Sequence, residues 1–141
     1  MTSPASIAAI SRDFPEIAAI YLFGSIAGKE EHAGSDADVG IVLRDRRAPG
    51  PGWRWRADLA GRLEELFPGR SIDLVILDEQ GPLFRHQVLL HGRLLHEADR
   101  DRRIDFESST FVEAFDFHPT WRLATGGRIG SIRKALQGKS K

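Results

Sequence analysis

The sequence predicts a single α/β domain, a small sheet covered by helices, and three observations carry that prediction. Short apolar runs alternate along the chain with stretches whose apolar residues fall at helical spacing. The short runs are apolar at consecutive positions, as strands covered on both faces are. The length, 141 residues, gives room for one core and not for two.

Taken in order, "SPASIAAISRDF" (3–14) has a capping serine, an early proline and apolar residues at Ile7, Ile10 and Phe14, which predicts a first helix. "IAAIYLF" (17–23) ends at Gly24 and reads as a buried strand, and "ADVGIVL" (37–43) as a second. "RDRRAPGPG" is a loop broken by Pro49, Pro51 and two glycines. "WRWRADLAGRLEELF" (53–67) sets Trp55, Leu59, Leu63 and Leu66 on one helical face, and Pro68-Gly69 stops it. "SIDLVIL" (71–77) is a third strand, "PLFRHQVLLHG" a short helix closed by Gly92, and "RLLHEA" a fourth strand. "DRRIDFESSTFVEAFDF" (101–117) carries Ile104, Phe111 and Phe115 at helical spacing, with Pro119 expected to end it. The remaining glycine-rich stretch has room for one or two helical turns before a frayed end. Residues 1–117 are therefore read as the domain and 118–141 as a basic, Gly-rich extension.

Composition narrows the function classes. At 41% hydrophobic and 28% charged the chain is ordinary for a soluble globular protein. No run approaches a membrane span, and "MTSPASIAAISRDF" lacks a signal peptide's basic start and long apolar stretch. Cysteine is absent, which removes disulfides and thiolate metal sites, so a cytoplasmic location is expected. Net charge is zero but uneven. All 20 acids lie at or before Asp116, and six Lys/Arg follow it, leaving the body about −6. A charged-partner contact and a plain solvated end both fit that asymmetry.

The chemistry concentrates between residues 21 and 43, "YLFGSIAGKEEHAGSDADVGIVL". Gly24-Ser25 stands where a buried strand stops. Glycine admits close backbone approach and serine offers a cap, so the step is either a plain turn or a phosphate cradle. Asp36 and Asp38 follow, and residues i and i+2 of a strand project to one face. They either form an acidic turn, with Ser35 or Asp36 as cap, or converge on a divalent cation. Oxygen ligands without His or Cys suit Mg²⁺ or Mn²⁺. Asp73, in a strand otherwise apolar, either caps its loop or pairs with Arg70, or becomes a third carboxylate if its strand lies beside Asp36 and Asp38. Three such carboxylates are what phosphoryl and nucleotidyl transfer uses to hold two metal ions.

"LFGSIAGKEEHAGSDADVGIVL" resembles the G-S-x₁₀-D-x-D signature of the DNA polymerase β-like nucleotidyltransferase superfamily in its minimal stand-alone form. Gly24 and Ser25 match the Gly-Ser, ten residues intervene, Asp36 and Asp38 match the metal pair, and Asp73 matches the third carboxylate. The resemblance covers residues 17 to 97. Beyond them Phe106, Glu107, Phe115, Asp116, Phe117 and Pro119 look like the C-terminal helix of the minimal nucleotidyltransferase antitoxins of HEPN/MNT pairs. The resemblance implies that family's small mixed sheet flanked by helices, ATP as substrate, two Mg²⁺ with Mn²⁺ as substitute, and a HEPN-domain RNase toxin as partner and hetero-oligomer. It implies inactivation of the toxin by AMP attached to a toxin tyrosine. Residue by residue, Gly24 and Ser25 would hold the β and γ phosphates, with Lys29 and Ser35 as further nucleotide contacts. Asp36 and Asp38 would bind both metals, and Asp73 would ligate the catalytic metal and help deprotonate the acceptor. Many relatives carry Arg where this chain has Gly28, and Lys29 is the replacement charge.

Other features are expected to do less. His86, His91 and His96 recur every five residues, a spacing that does not align on a helix face, so no metal cluster is expected. His32 lies within the ten-residue segment. Trp55 is expected in the core and Trp53 as an aromatic anchoring its loop; "RDRR" (44–47) is expected near the edge of the site. Membrane and direct nucleic-acid contacts are not expected. Three functions remain: AMP transfer to a partner protein, nucleotide transfer to a small molecule or RNA, and a non-catalytic antitoxin that only binds. Intact carboxylates speak against the third, and the lack of an added helical domain to grip an acceptor speaks against the second.

Overall fold

The computed structural model describes residues 4–24 and 36–124. In chain order it runs α1 (Pro4–Asp13), β1 (Ile17–Phe23), β2 (Ala37–Leu43), α2 (Gly52–Glu64), β3 (Ile72–Ile76), a 3₁₀ turn (Leu77–Glu79), α3 (Pro82–His91), β4 (Arg93–Glu97) and α4 (Arg100–Ala124). The four strands form one mixed sheet in the order β3-β2-β1-β4. β1 is antiparallel to both neighbours, and β2 is parallel to β3. A parallel pair needs a crossover, and α2 supplies it.

Each face of the sheet has its own core. On one, Ile7 and Ile10 of α1 and Trp55, Leu59 and Leu63 of α2 close over Ile20, Leu22, Val39 and Ile41. On the other, Val88 of α3 and Phe106 of α4 close over Ala19, Tyr21 and Val42. Every residue of β1 from Ile17 to Leu22 is buried, which explains its unbroken apolar run. Side chains of this size stabilise by about 1.5–3 kcal/mol each when fully buried. Trp55 keeps its indole N–H satisfied by donating to Glu16 Oε1 at 3.1 Å.

The structure corrects three expectations and assigns the faces of α4. α4 continues through Pro119 to Ala124. Proline withholds only its own N–H and crowds the carbonyl four residues back, so the turns on either side can still form. Ile104, Phe111 and Phe115 do lie on α4, yet they are exposed, and Phe106, Thr110 and Ala114 fill the buried stripe instead. Trp53 anchors no loop: it is 69% exposed, with the Arg54 guanidinium 5.5 Å from its ring. "RDRR" lies far from the acidic residues, because β2 runs away from Asp38 and six residues of strand span about 20 Å. There Arg44 pairs with Asp99 at 2.8 Å and Arg46 with Asp105 at 2.9 Å. No helix among the described residues is long and apolar enough to cross a membrane.

Candidate active site

The site forms where β1 ends and β2 begins. Gly24 follows the last residue of β1 with φ +77, in the left-handed region that glycine tolerates. A β-carbon there would also meet the Asp38 carboxylate, 2.9 Å from its Cγ. Positive φ and close approach coincide, so this position admits glycine on two counts.

Asp38 sits opposite Phe23 of β1 on one side and opposite Asp73 of β3 on the other. Parallel pairing of β2 and β3 thus brings together two aspartates 35 residues apart in sequence. Their carboxyl groups reach hydrogen-bonding contact, and the Asp38 pKa is raised above the ordinary carboxylate range. Burial is the largest cause, then the Asp73 charge and hydrogen bond, then the charge of Asp36. All of these act in one direction, so Asp38 is held at a cost that a nearby cation would remove. Asp36 immediately precedes β2 and is exposed. Among the described residues no three His, Asp or Glu side chains already stand as a cage for a metal ion. The acidic group is therefore a contacting pair with a third charge on its flank. Among the described residues no histidine builds a metal-holding group with it, and His86 packs edge-on against Phe111 at 5.3 Å. Ser25, Gly28, Lys29, His32 and Ser35 lie outside the described residues, as does the stretch 125–141.

Sequence reasoning passed over a second polar cluster. Tyr21 points from β1 to the α3–α4 side, where its hydroxyl donates to Glu107 Oε2 at 2.6 Å. Arg103 bridges Glu107, at 2.9 Å, and Glu97 of β4. Burial first, then Glu107, raise the Tyr21 pKa, so the phenol stays protonated. The signal was in view: the chain's one tyrosine stands in the middle of an otherwise apolar strand. Closer to the acids, Phe23 meets Phe84 of α3 edge-on at 5.8 Å and walls that side of the site.

The mixed four-stranded sheet flanked by helices is a fold that known proteins share. Residues 5–101 match the model of the family described as Polymerase beta, Nucleotidyltransferase, and the chain belongs to that family. It is 28% identical over 89 residues to the protein adenylyltransferase MntA of Shewanella oneidensis MR-1, a match covering 63% of this chain and 60% of that protein. Among solved structures, a toxin–antitoxin crystal structure with AMP-PNP superposes with TM-score 0.67 at 26% identity, covering 87% of this chain and 94% of that one. The MNT antitoxin in complex with tri-AMPylated Shewanella oneidensis HEPN toxin superposes with TM-score 0.60 at 24% identity over 86% and 91% of the two chains, a likeness of fold.

Proposed function

We propose that this protein transfers AMP from ATP to a hydroxyl, a tyrosine of a HEPN-domain toxin, and so acts as that toxin's antitoxin. The observation that carries this reading is the Asp38–Asp73 contact beside Gly24, two carboxylates pressed together in a nucleotidyltransferase fold. The family membership, the MntA relative and the toxin–antitoxin neighbour with AMP-PNP support it.

In this reading Asp36, Asp38 and Asp73 hold two Mg²⁺ ions, or Mn²⁺, and their all-oxygen chemistry fits such ions. Those ions would supply charge neutralisation for the triphosphate and for the attacking and leaving oxygens. The chain's own residues do the rest. Gly24, without a side chain, lets the backbone approach the β and γ phosphates, with Ser25, Ser35 and Lys29 as further contacts. Asp73 takes the proton of the acceptor hydroxyl. That oxygen bonds to the α-phosphorus as the bond to the β-phosphate oxygen breaks, and pyrophosphate leaves.

The test is the intact mass of a HEPN-domain toxin co-expressed with this chain and given ATP. Gains of one AMP or its multiples, absent with Asp36→Asn, support the reading. A toxin that is neutralised without mass change, equally well by Asp36→Asn, replaces it with a binding-only antitoxin.

A further inference from the structure

α4 has two apolar stripes. Phe106, Thr110 and Ala114 face the sheet. Roughly a third of a turn around the helix, Ile104, Phe111 and Phe115 share a second face and are 44%, 47% and 72% exposed. Exposed large apolar side chains gathered on one helix face mark an interaction surface. It continues off the helix, because Phe111 joins Leu89 of α3 and Leu94 of the edge strand β4 around a pocket of about 280 Å³. Tyr21, Glu107 and Arg103 also line this pocket, and they already satisfy one another. The pocket's apolar wall therefore suits an apolar or aromatic side chain, and the exposed Arg93, which also lines it and makes no ion pair among the described residues, can meet an acid at the rim. At the start of the same helix Arg100 and Asp101 are both exposed and make no ion pair among the described residues, so this end of the face offers one charge of each sign.

We propose that this face is where the partner protein docks. Its occupant is a helix of that partner with an apolar stripe flanked by charges of both signs, lying along Ile104, Phe111 and Phe115 and seating one large side chain in the pocket beside Leu94, with a Lys or Arg toward Asp101 and an acid toward Arg93. The inference rests on the proposed function, since the partner is also the acceptor, and the strand geometry links the two. Tyr21 is two residues along β1 from Phe23, the register partner of Asp38, so the pocket lies about 7 Å along the strand from the acidic pair and on the same side of the sheet. A partner anchored there keeps nearby hydroxyls at the acids.

The experiment titrates the purified HEPN-domain toxin used in that test into the full chain by calorimetry, using the parent, Phe111→Glu, Phe115→Glu, Asp101→Lys and the conservative Phe111→Leu. Both Glu variants are expected to weaken Kd by about 30-fold or more, as a lost interface anchor does. Phe111→Leu should recover most of that, and Asp101→Lys should weaken binding chiefly at low salt. The melting curve and ATP affinity should stay at parental values, and AMP transfer should return at saturating partner. Kd within twofold of the parent for both Glu variants overturns the proposal. So does Phe111→Glu turning a parental dimer into a monomer at unchanged partner Kd, which assigns the face to a second copy. New protease sensitivity of 125–141 at unchanged Kd assigns it to the chain's own end. If the parent binds its partner through this face yet leaves its mass unchanged, the transferase reading fails and the docking face stands; full-rate transfer by Phe111→Glu at low partner concentration does the reverse.

Discussion

Two aspartates at opposite ends of the sheet are treated in opposite ways. Asp78, on the turn after β3, accepts the Leu43 backbone N–H at 2.8 Å and pairs with Arg102, the two side chains being only 5% and 10% exposed. Arg102 also donates to the Leu43 carbonyl at 2.8 Å and lies over Phe106, so one ion pair ties β2, β3 and α4 together. Asp38, at the other end of β2, is given another aspartate. The chain can neutralise a buried acid with its own groups and does so where the acid serves the fold. Under the proposed function, the acid left beside an acid is the one a bound cation would neutralise, and that difference would separate architecture from chemistry within one strand.

The comparison can be broken from either end. The largest effect is expected at the unneutralised end. Asp36→Asn and Asp38→Asn should each cut AMP transfer by roughly a thousandfold or more, equivalent to about 4 kcal/mol of transition-state stabilisation, with circular dichroism unchanged. Near-normal turnover in either would end the metal assignment.

At the neutralised end the loss falls on the fold. Arg102→Ala leaves Asp78 buried without its cation and should destabilise by about 3–5 kcal/mol in denaturant titration. A loss below about 1 kcal/mol would mean that the two ends are not so different.

Gly24→Ala touches both properties. Its positive φ alone costs about 1–3 kcal/mol, and the new methyl must push the Asp38 carboxylate aside. Transfer should therefore fall further than stability does; equal losses would show that Asp38 had not moved.

Asp73→Asn has the smallest effect on stability and the opposite sign. Without metal at neutral pH it should melt at or slightly above the parent, because it removes the charge that opposes Asp38. The raised Asp38 pKa fixes the pH dependence. Between the ordinary Asp value and the raised folded value, the folded parent binds more protons than the unfolded one, so its stability increases as pH falls through that window. The advantage of Asp73→Asn should shrink over that same interval. An advantage that grows on acidification, or a clear loss at neutral pH, would assign Asp73 to a structural pair instead.

The strands were legible because they are short, wholly apolar and closed by glycine or proline, and β1 and β2 need no long-range information to be recognised. The Asp38–Asp73 meeting was legible conditionally. Two apolar runs joined by a helix invite parallel pairing, and the register then follows from where each acid sits in its run. Helix faces were harder. Three apolar residues at helical spacing made α4 a helix but did not say which side faced inward, because the inward side is partly polar, with Arg102, Arg103 and Glu107 satisfied by distant partners. "RDRR" was misplaced because proximity in sequence was taken for proximity in space, while an extended strand carries its two ends apart. Tyr21 and Glu107 are 86 residues apart, and nothing local joins them.

Under the proposed function, that phenol has a consequence for this chain. The chain has a single tyrosine, it is 3% exposed, and its hydroxyl is already engaged. A protein that labels tyrosines works at high local concentration of its own surface, and self-labelling would waste nucleotide and mask its output. If the chain transfers AMP as proposed, its own tyrosine is sequestered under α4, and tyrosine-linked AMP in a mixture with a toxin is expected on the toxin.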